Sequence, residues 1–265
     1  MIIVGERINS SRKAIAPAII ARDHQLIARE ADLQIAAGAS YIDVNCGTLI
    51  EEEPETLEWL VKTVQDATGG LCSIDSPNPV ALERALKVHQ GKPLINSITG
   101  EHQRLAAILP LVRDYKTAIV ALAMDDNGMP ETAEERFQLA ADLVNQLTKA
   151  GIGLSDIYLD PMVRPVSTGG HYGRVVFETI KKINREFPGI HTICGLSNIS
   201  FGLPARKLLN QTFLIMAMMA GLDSAILDPI DKRLMSLLQA AEVLLEQDEY
   251  ALNFITAYRE EKLEF

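Results

Sequence analysis

The sequence predicts an α/β fold, a (β/α)8 barrel of the TIM type, and three observations carry that prediction. Short apolar runs alternate eight times with stretches of helical period, and the turns between them are short. The turn after the first run reads Gly5-Glu6-Arg7-Ile8-Asn9, without the glycine pattern of an open nucleotide-binding sheet. The 265 residues also match the ~250 that a barrel with its helices needs, so 1–265 is expected to be a single domain.

The apolar runs are Ile2–Gly5, Ser40–Asn45, Leu71–Asp75, Pro93–Ser97, Thr117–Met124, Asp156–Asp160, His191–Leu196 and Ser224–Asp228. Each is too short for a typical helix, and several are rich in the β-branched and aromatic residues of buried parallel strands. Helices fill the gaps. Asp23 can cap a helix that Gly38 ends. Leu57, Leu60, Val61 and Val64 share one helix face. Asn78-Pro79 supplies an N-cap and a first-turn proline for a helix over Val80–Val88. Phe137, Ala140, Ala141, Val144 and Leu147 repeat the helical spacing, with Thr132 and Glu135 as a capping box and Gly151 as the stop. The segment Leu234–Phe265, apolar at Leu237, Leu238, Ala241, Leu244 and Leu245, is expected to be the eighth barrel helix.

Composition removes several classes of function. A net charge of −10 argues against binding a nucleic-acid backbone. The longest apolar stretch, Thr212–Leu222, is well short of the ~20 residues that span a bilayer, so no membrane partner is expected. Met1 leads straight into Ile2-Ile3-Val4 without a basic leader. Cys46, Cys72 and Cys194 are dispersed and form no CxxC pair, which fits a reducing compartment and a cytoplasmic protein.

In a barrel of this kind the active site lies at the carboxyl ends of the strands. Those ends carry Glu6, Arg7 and Asn9; Asp43 and Asn45; Asp75, Ser76 and Asn78; Asn96 and Ser97; Asp125, Asp126 and Asn127; Asp160; Ser197 and Asn198; and Asp228. The mouth is thus rich in Asp and Asn and nearly free of Lys. Such a ring suits a neutral, donor-rich heterocycle, because carboxylates accept from N–H groups and carboxamides both donate and accept. The same residue types also make turns and caps. Asn78 and Asp228, beside prolines, read as caps, whereas Asp75, Asn96 and Asp160 close apolar runs and should point into the mouth.

Metal and nucleophile chemistry find less support. His24, His89, His102, His171 and His191 show no ligand spacing, so no metal is expected on this chain's own ligands; His24 and His89 read as surface residues of helices. There is no GxSxG elbow, and Cys46, beside the mouth, reads as a structural thiol.

The residues Gly5-Glu6-Arg7-Ile8-Asn9, Asp43-Val44-Asn45, Ile74-Asp75-Ser76, Ile95-Asn96-Ser97 and Tyr158-Leu159-Asp160-Pro161 occur in an order that resembles the pterin-binding barrels. Gly195-Leu196-Ser197-Asn198-Ile199-Ser200-Phe201-Gly202 and Arg206-x-x-Leu209-Asn210-x-x-Phe213 extend the likeness over essentially the whole chain. The resemblance is greatest to the methyltetrahydrofolate:corrinoid (iron-sulfur) protein methyltransferases. It implies a dihydropteroate-synthase-like barrel and transfer of a methyl group between N5 of tetrahydrofolate and the cobalt of a corrinoid (cobalamin) carried by a partner protein. It further implies that Asp75, Asn96 and Asp160 hold the pterin by its 2-amino, N3 and N8 edge, and that Asn198 reaches N5. The binding set is then Asp75, Asn96, Asp160, Ser197, Gly195, Asp43 and Glu6, with Asn198 and Asp75 as the catalytic pair. Anaerobic one-carbon metabolism, in either direction, and a homodimer are implied too.

Two related activities make different demands. Dihydropteroate synthases carry Ser-Arg in the loop after the seventh strand and a further Arg near the eighth to bind pyrophosphate; here those positions read Ser197-Asn198 and Asp228-Pro229. Methionine synthase carries its own corrinoid domain, for which this chain has no room and no Asp-x-His-x-x-Gly motif. A non-catalytic folate-binding subunit is the remaining alternative. The loop Met162–Tyr172 departs from the family pattern. It is expected to be a flexible surface loop, with Arg164 or His171 as candidate contacts to the folate tail or the partner protein.

Overall fold

A computed structural model describes residues 1–265. Eight parallel strands lie in the order β7-β6-β5-β4-β3-β2-β1-β8. They are β1 (Ile2–Asn9), β2 (Tyr41–Asn45), β3 (Leu71–Asp75), β4 (Leu94–Thr99), β5 (Ala118–Leu122), β6 (Ile157–Asp160), β7 (His191–Thr192) and β8 (Ser224–Leu227). The sheet closes where the Ile226 amide donates to the Cys194 carbonyl at 2.9 Å and Gly195 bridges Ile226 in parallel. The predicted barrel is the observed one.

Ten helices accompany the strands: α1 (Ala16–Ile20), α2 (His24–Ala36), α3 (Glu53–Thr68), α4 (Pro79–Leu86), α5 (His102–Asp114), α6 (Ala133–Lys149), α7 (Tyr172–Glu186), α8 (Arg206–Ala220), α9 (Lys232–Leu244) and α10 (Leu252–Arg259). The expected caps are present. Asp23 accepts from the Leu26 amide at 3.1 Å and Asn78 from the Val80 amide at 3.0 Å. Thr132 and Glu135 make the reciprocal box at the start of α6. No helix is long and apolar enough to cross a membrane.

Away from the strand-end rim, the structure departs from expectation in four places. β1 runs past Gly5 through a bulge to Asn9, because Gln34 of α2 takes the space a side chain at residue 5 would fill. Its Oε1 lies 2.4 Å from where a Gly5 Cβ would stand and accepts from the Arg7 amide at 3.1 Å. β7 keeps regular geometry only over His191–Thr192, and the rest of the expected run rises into a 3-10 turn at Leu196–Ser200. The final segment is not one helix: left-handed residues at Glu246, Tyr250 and Ala251 break it, leaving Leu244 exposed and α10 as an added element. His89 is not a surface residue of a helix. It lies beyond the end of α4, half-buried, and accepts from the Cys72 amide at 3.1 Å; burial pulls its pKa down to about 4.

The strand alternation separates two cores. Outward residues, among them Ile42, Ile74, Ile95, Ile119, Leu159 and Ala225, join the main core beneath the helices. Inward residues Val4, Leu94, Ala118, Val120, Tyr158 and Ile193 plug the amino-terminal end of the barrel. Tyr158 stacks on His191 there, ring centres 4.6 Å apart.

Candidate active site

Continuing the inward rows toward the carboxyl ends changes their chemistry. Beyond Tyr41 in β2 come Asp43 and Asn45, beyond Leu94 comes Asn96, and beyond Tyr158 comes Asp160. Register then aligns neighbours: Asn45 pairs with Asp75 and Asp75 with Asn96, which sets three side chains on one rim.

Two hydrogen-bonded couples hold them. The Asn45 side-chain Nδ2 donates to Asp75 Oδ2 at 2.8 Å. Asp43 lies deeper and is only 3% exposed; its Oδ1 accepts from Ser73 Oγ at 2.7 Å and from Asn96 Nδ2 at 3.3 Å. That bond uses a donor of the Asn96 carboxamide and not its acceptor oxygen. Across the barrel, Asp160 is 9% exposed and its Oδ1 accepts from the Met162 amide at 2.7 Å.

Four carboxyls in the mouth hold their protons more tightly than in water. Burial pushes Asp43 well up, and the Asp75 charge adds to the effect. Burial raises Asp75, opposed by the Asn45 amide and the Arg104 charge. Burial raises Glu6 against the charges of Arg12, Arg206 and Arg7. Asp160 is pushed up to about 7, again by burial, with the Met162 amide and Arg136 opposing.

Asn198 sits in the 3-10 turn after β7, exposed at the rim, with its side chain folded over Gly195. A Cβ at residue 195 would come to 3.0 Å from Asn198 Nδ2, so a side chain there would press on the carboxamide. Glu6 and Ser197 fall elsewhere on the rim. They line a cleft of about 470 Å3 on the β1–β8 side together with Arg7, Arg206 and Asp228. The structure therefore brings Asn45 into contact with Asp75 and Asp43 into contact with Asn96, on neighbouring strands. No hydrogen bond ties Asp160, Asn198, Glu6 or Ser197 to that group.

Other strand-end residues do local work. Asp125–Asn127 form an exposed turn, the Asn127 amide donating to Asp125 Oδ1 at 2.9 Å. Asp228 is not the helix cap expected of it. Asp231 caps α9, while Asp228 pairs with Arg7 at 3.0 Å and Arg12 at 3.3 Å. The loop Met162–Tyr172 is tied down rather than loose: the Val166 amide donates to the Ile199 carbonyl at 3.0 Å and Ser167 Oγ to the Phe201 carbonyl at 2.8 Å. Arg164 pairs with Glu131, which also accepts from Tyr172 Oη at 2.9 Å. Cys46 is buried beside Glu53, and burial pushes its thiol up to about 12.

Reading by strand ends misses residues that reach the mouth from helices. Arg104 of α5 donates to the carbonyls of Ser76 and Ser97 at 2.9 and 2.6 Å, tying the ends of β3 and β4 together. Arg206 of α8 donates to the Ser197 carbonyl at 2.6 Å and to Ser200 Oγ at 3.0 Å, so a guanidinium does stand behind the loop after β7. The signal available in sequence is an arginine in a helix's first turn, where the helix dipole favours acids. No three His, Cys, Asp or Glu side chains are grouped to hold a metal ion.

A family model described as pterin binding enzyme matches residues 5–228. Over 265 residues the chain is 37% identical to the methylcorrinoid:tetrahydrofolate methyltransferase of Eubacterium limosum, covering 99% of this chain and 98% of that protein. It is 31% identical over 239 residues to the methionine synthase of Mycobacterium tuberculosis, where the match covers 85% of this chain and 20% of that protein. Among solved structures, the dihydropteroate synthase of Vibrio fischeri superposes with a TM-score of 0.69 over 93% of both chains at 16% identity. That of Thermus thermophilus, in complex with 6HMPPP, gives 0.65 at 20% identity, over 92% of this chain and 93% of the other. At such identities the likeness speaks to the fold.

Proposed function

The chain belongs to the family of pterin-binding enzymes, and from that premise we propose that it transfers a methyl group between N5 of tetrahydrofolate and the cobalt of a corrinoid carried on a separate protein. The observation that carries this reading is the pair of hydrogen-bonded couples, Asn45 with Asp75 and Asn96 with Asp43, that strand register sets side by side on one rim of the barrel, in a chain 37% identical along its length to a methylcorrinoid:tetrahydrofolate methyltransferase.

A pterin edge is a line of N–H and amino donors beside a carbonyl, and this rim meets it with acceptors whose lone pairs are already aimed. Asp75 accepts from the ring while the Asn45 amide fixes its rotamer. Asn96, held by Asp43, presents its carbonyl oxygen. Asp160 accepts from the opposite edge of the ring once ionised. Gly195, Ser197 and Glu6 complete the wall toward β8.

The methyl on N5 is inert until that nitrogen gains positive character, because a neutral tertiary amine leaves poorly. Asn198 meets this need. Its exposed carboxamide can accept from a protonated N5 and donate to a neutral one, which favours the transition state over the ground state. The corrinoid, when docked, supplies the nucleophilic cobalt or the methyl-cobalt bond. One transition state serves both directions, and the name of the Eubacterium limosum relative runs from methylcorrinoid to tetrahydrofolate. We place the protein in the cytoplasm, in anaerobic one-carbon metabolism. We take it as a homodimer, in keeping with the exposed Leu208, Met216 and Met219 along α8.

The test is a stopped-flow measurement of cob(I)alamin loss on mixing with the protein and methyltetrahydrofolate. Rapid decay supports the proposal. Saturable folate binding without decay leaves a binding subunit and overturns it.

A further inference from the structure

Arg136 lies in the first turn of α6, whose dipole favours acids, yet its side chain is wholly buried. Buried guanidinium groups are normally paired with carboxylates. This one is held by backbone oxygens instead. Nε donates to the Pro130 carbonyl at 3.0 Å, and Nη1 to the Pro161 carbonyl at 2.9 Å and to the Met162 carbonyl. Nη2 is buried without a partner. Pro161 and Met162 are the two residues that follow Asp160. Met162 has a left-handed backbone, φ 63°, and its amide, in the same peptide plane as the Pro161 carbonyl, donates to Asp160 Oδ1 at 2.7 Å.

We propose that Arg136 is a positioning residue: by clamping the carbonyls of residues 161 and 162 it holds the Met162 amide on Asp160 and so aims that carboxylate at the pterin. The pterin part of this statement rests on the function proposed above. The forked guanidinium suits the task because one planar group reaches carbonyls from two loops, and an ammonium cannot copy that geometry. The charge helps as well, since Arg136 favours the ionised form of Asp160 against the burial that opposes it. The groups facing Asp160 are Arg136 from α6, the Cys194 thiol from the segment after β7 and apolar Leu122 from β5; Glu131, Arg164 and Tyr172 face Arg136.

The experiment is a double-mutant cycle on the full chain, with Arg136→Lys and Arg136→Met each made alone and combined with Asp160→Asn. Two readouts are taken: affinity for methyltetrahydrofolate across pH, and melting temperature across pH without ligand. With Asp160 titrating near 7 rather than its ordinary 3.8, the stability it contributes is present below about 4 and lost as pH rises through 7. Arg136→Met should move the end of that loss to higher pH. Arg136→Lys keeps the cation and carries the binding arm if the Met variant does not fold. It should weaken folate binding about tenfold in the native background and hardly at all beside Asp160→Asn, the pattern of two coupled groups. Equal losses in both backgrounds, or no loss in either, would overturn the assignment. If the unsubstituted chain binds no methyltetrahydrofolate while the ligand-free melting profile still moves with Arg136→Met, the proposed function fails and the Arg136–Asp160 link stands.

Discussion

The two ends of the barrel are made by the same strands and the same alternation, yet they are built on opposite principles. At the amino-terminal end the inward residues Val4, Leu94, Ala118, Val120, Tyr158 and Ile193 pack on one another in an apolar plug. Two to four residues further along the same rows the inward side chains are Glu6, Asp43, Asp75, Asn96 and Asp160; amide donors hold several of them, and burial raises the carboxyls toward their protonated forms. One end devotes its contacts to stability. The other keeps polar groups in an environment that does not favour their charge, an arrangement that gains from a ligand bringing N–H donors.

Substitutions at the two ends should therefore damage different properties. Leu94→Ala empties part of the plug and should lower stability by about 2–5 kcal/mol, measured by denaturant unfolding, while kcat/KM at low temperature stays unchanged. A loss of activity without a loss of stability would break the comparison. Asn198→Ala should do the reverse, with transfer slowed by roughly 10²–10³-fold in stopped flow and the melting temperature unmoved. Asp75→Asn keeps the shape of the side chain but removes a charge-assisted acceptor, and should weaken methyltetrahydrofolate binding about 10- to 100-fold by calorimetry. The gentlest probe is pH. Asp160, in its proposed role, accepts from the ring more strongly when ionised, so folate affinity should fall as pH drops below about 7, by at most about tenfold per unit, and Asp160→Asn should flatten that slope.

The fold was legible because short apolar runs and helix punctuation are local signals. Thr132 with Glu135, Asn78 with Pro79 and Asp23 each declare a helix start within a few residues. Asp75, Asn96 and Asp160 were legible for a related reason: each ends an apolar run, and strand ends in a barrel face one place. What stayed hidden depends on contacts distant in sequence. Nothing near Asp228 announces that Arg7 and Arg12 will claim it, and nothing near His89 shows that the Cys72 amide will need an acceptor. The bulge after Gly5 depends on Gln34, far along the chain. Arg104 and Arg206 reach the rim from helices, where a scan of strand ends does not look.

The short β7 has a consequence of its own. Only two of its residues keep regular strand geometry, and the ring of strands is completed by one amide–carbonyl bond from Ile226 and the bridge at Gly195. Backbone amides along this line should exchange with solvent earlier than those between β2, β3 and β4. A breathing motion there would carry Asn198 with it and leave Asp75 and Asn96 where they are. Asn198, proposed to meet N5, thus rides on the yielding edge of the ring, and Asp75 and Asn96, proposed to grip the pterin, ride on the stiff one.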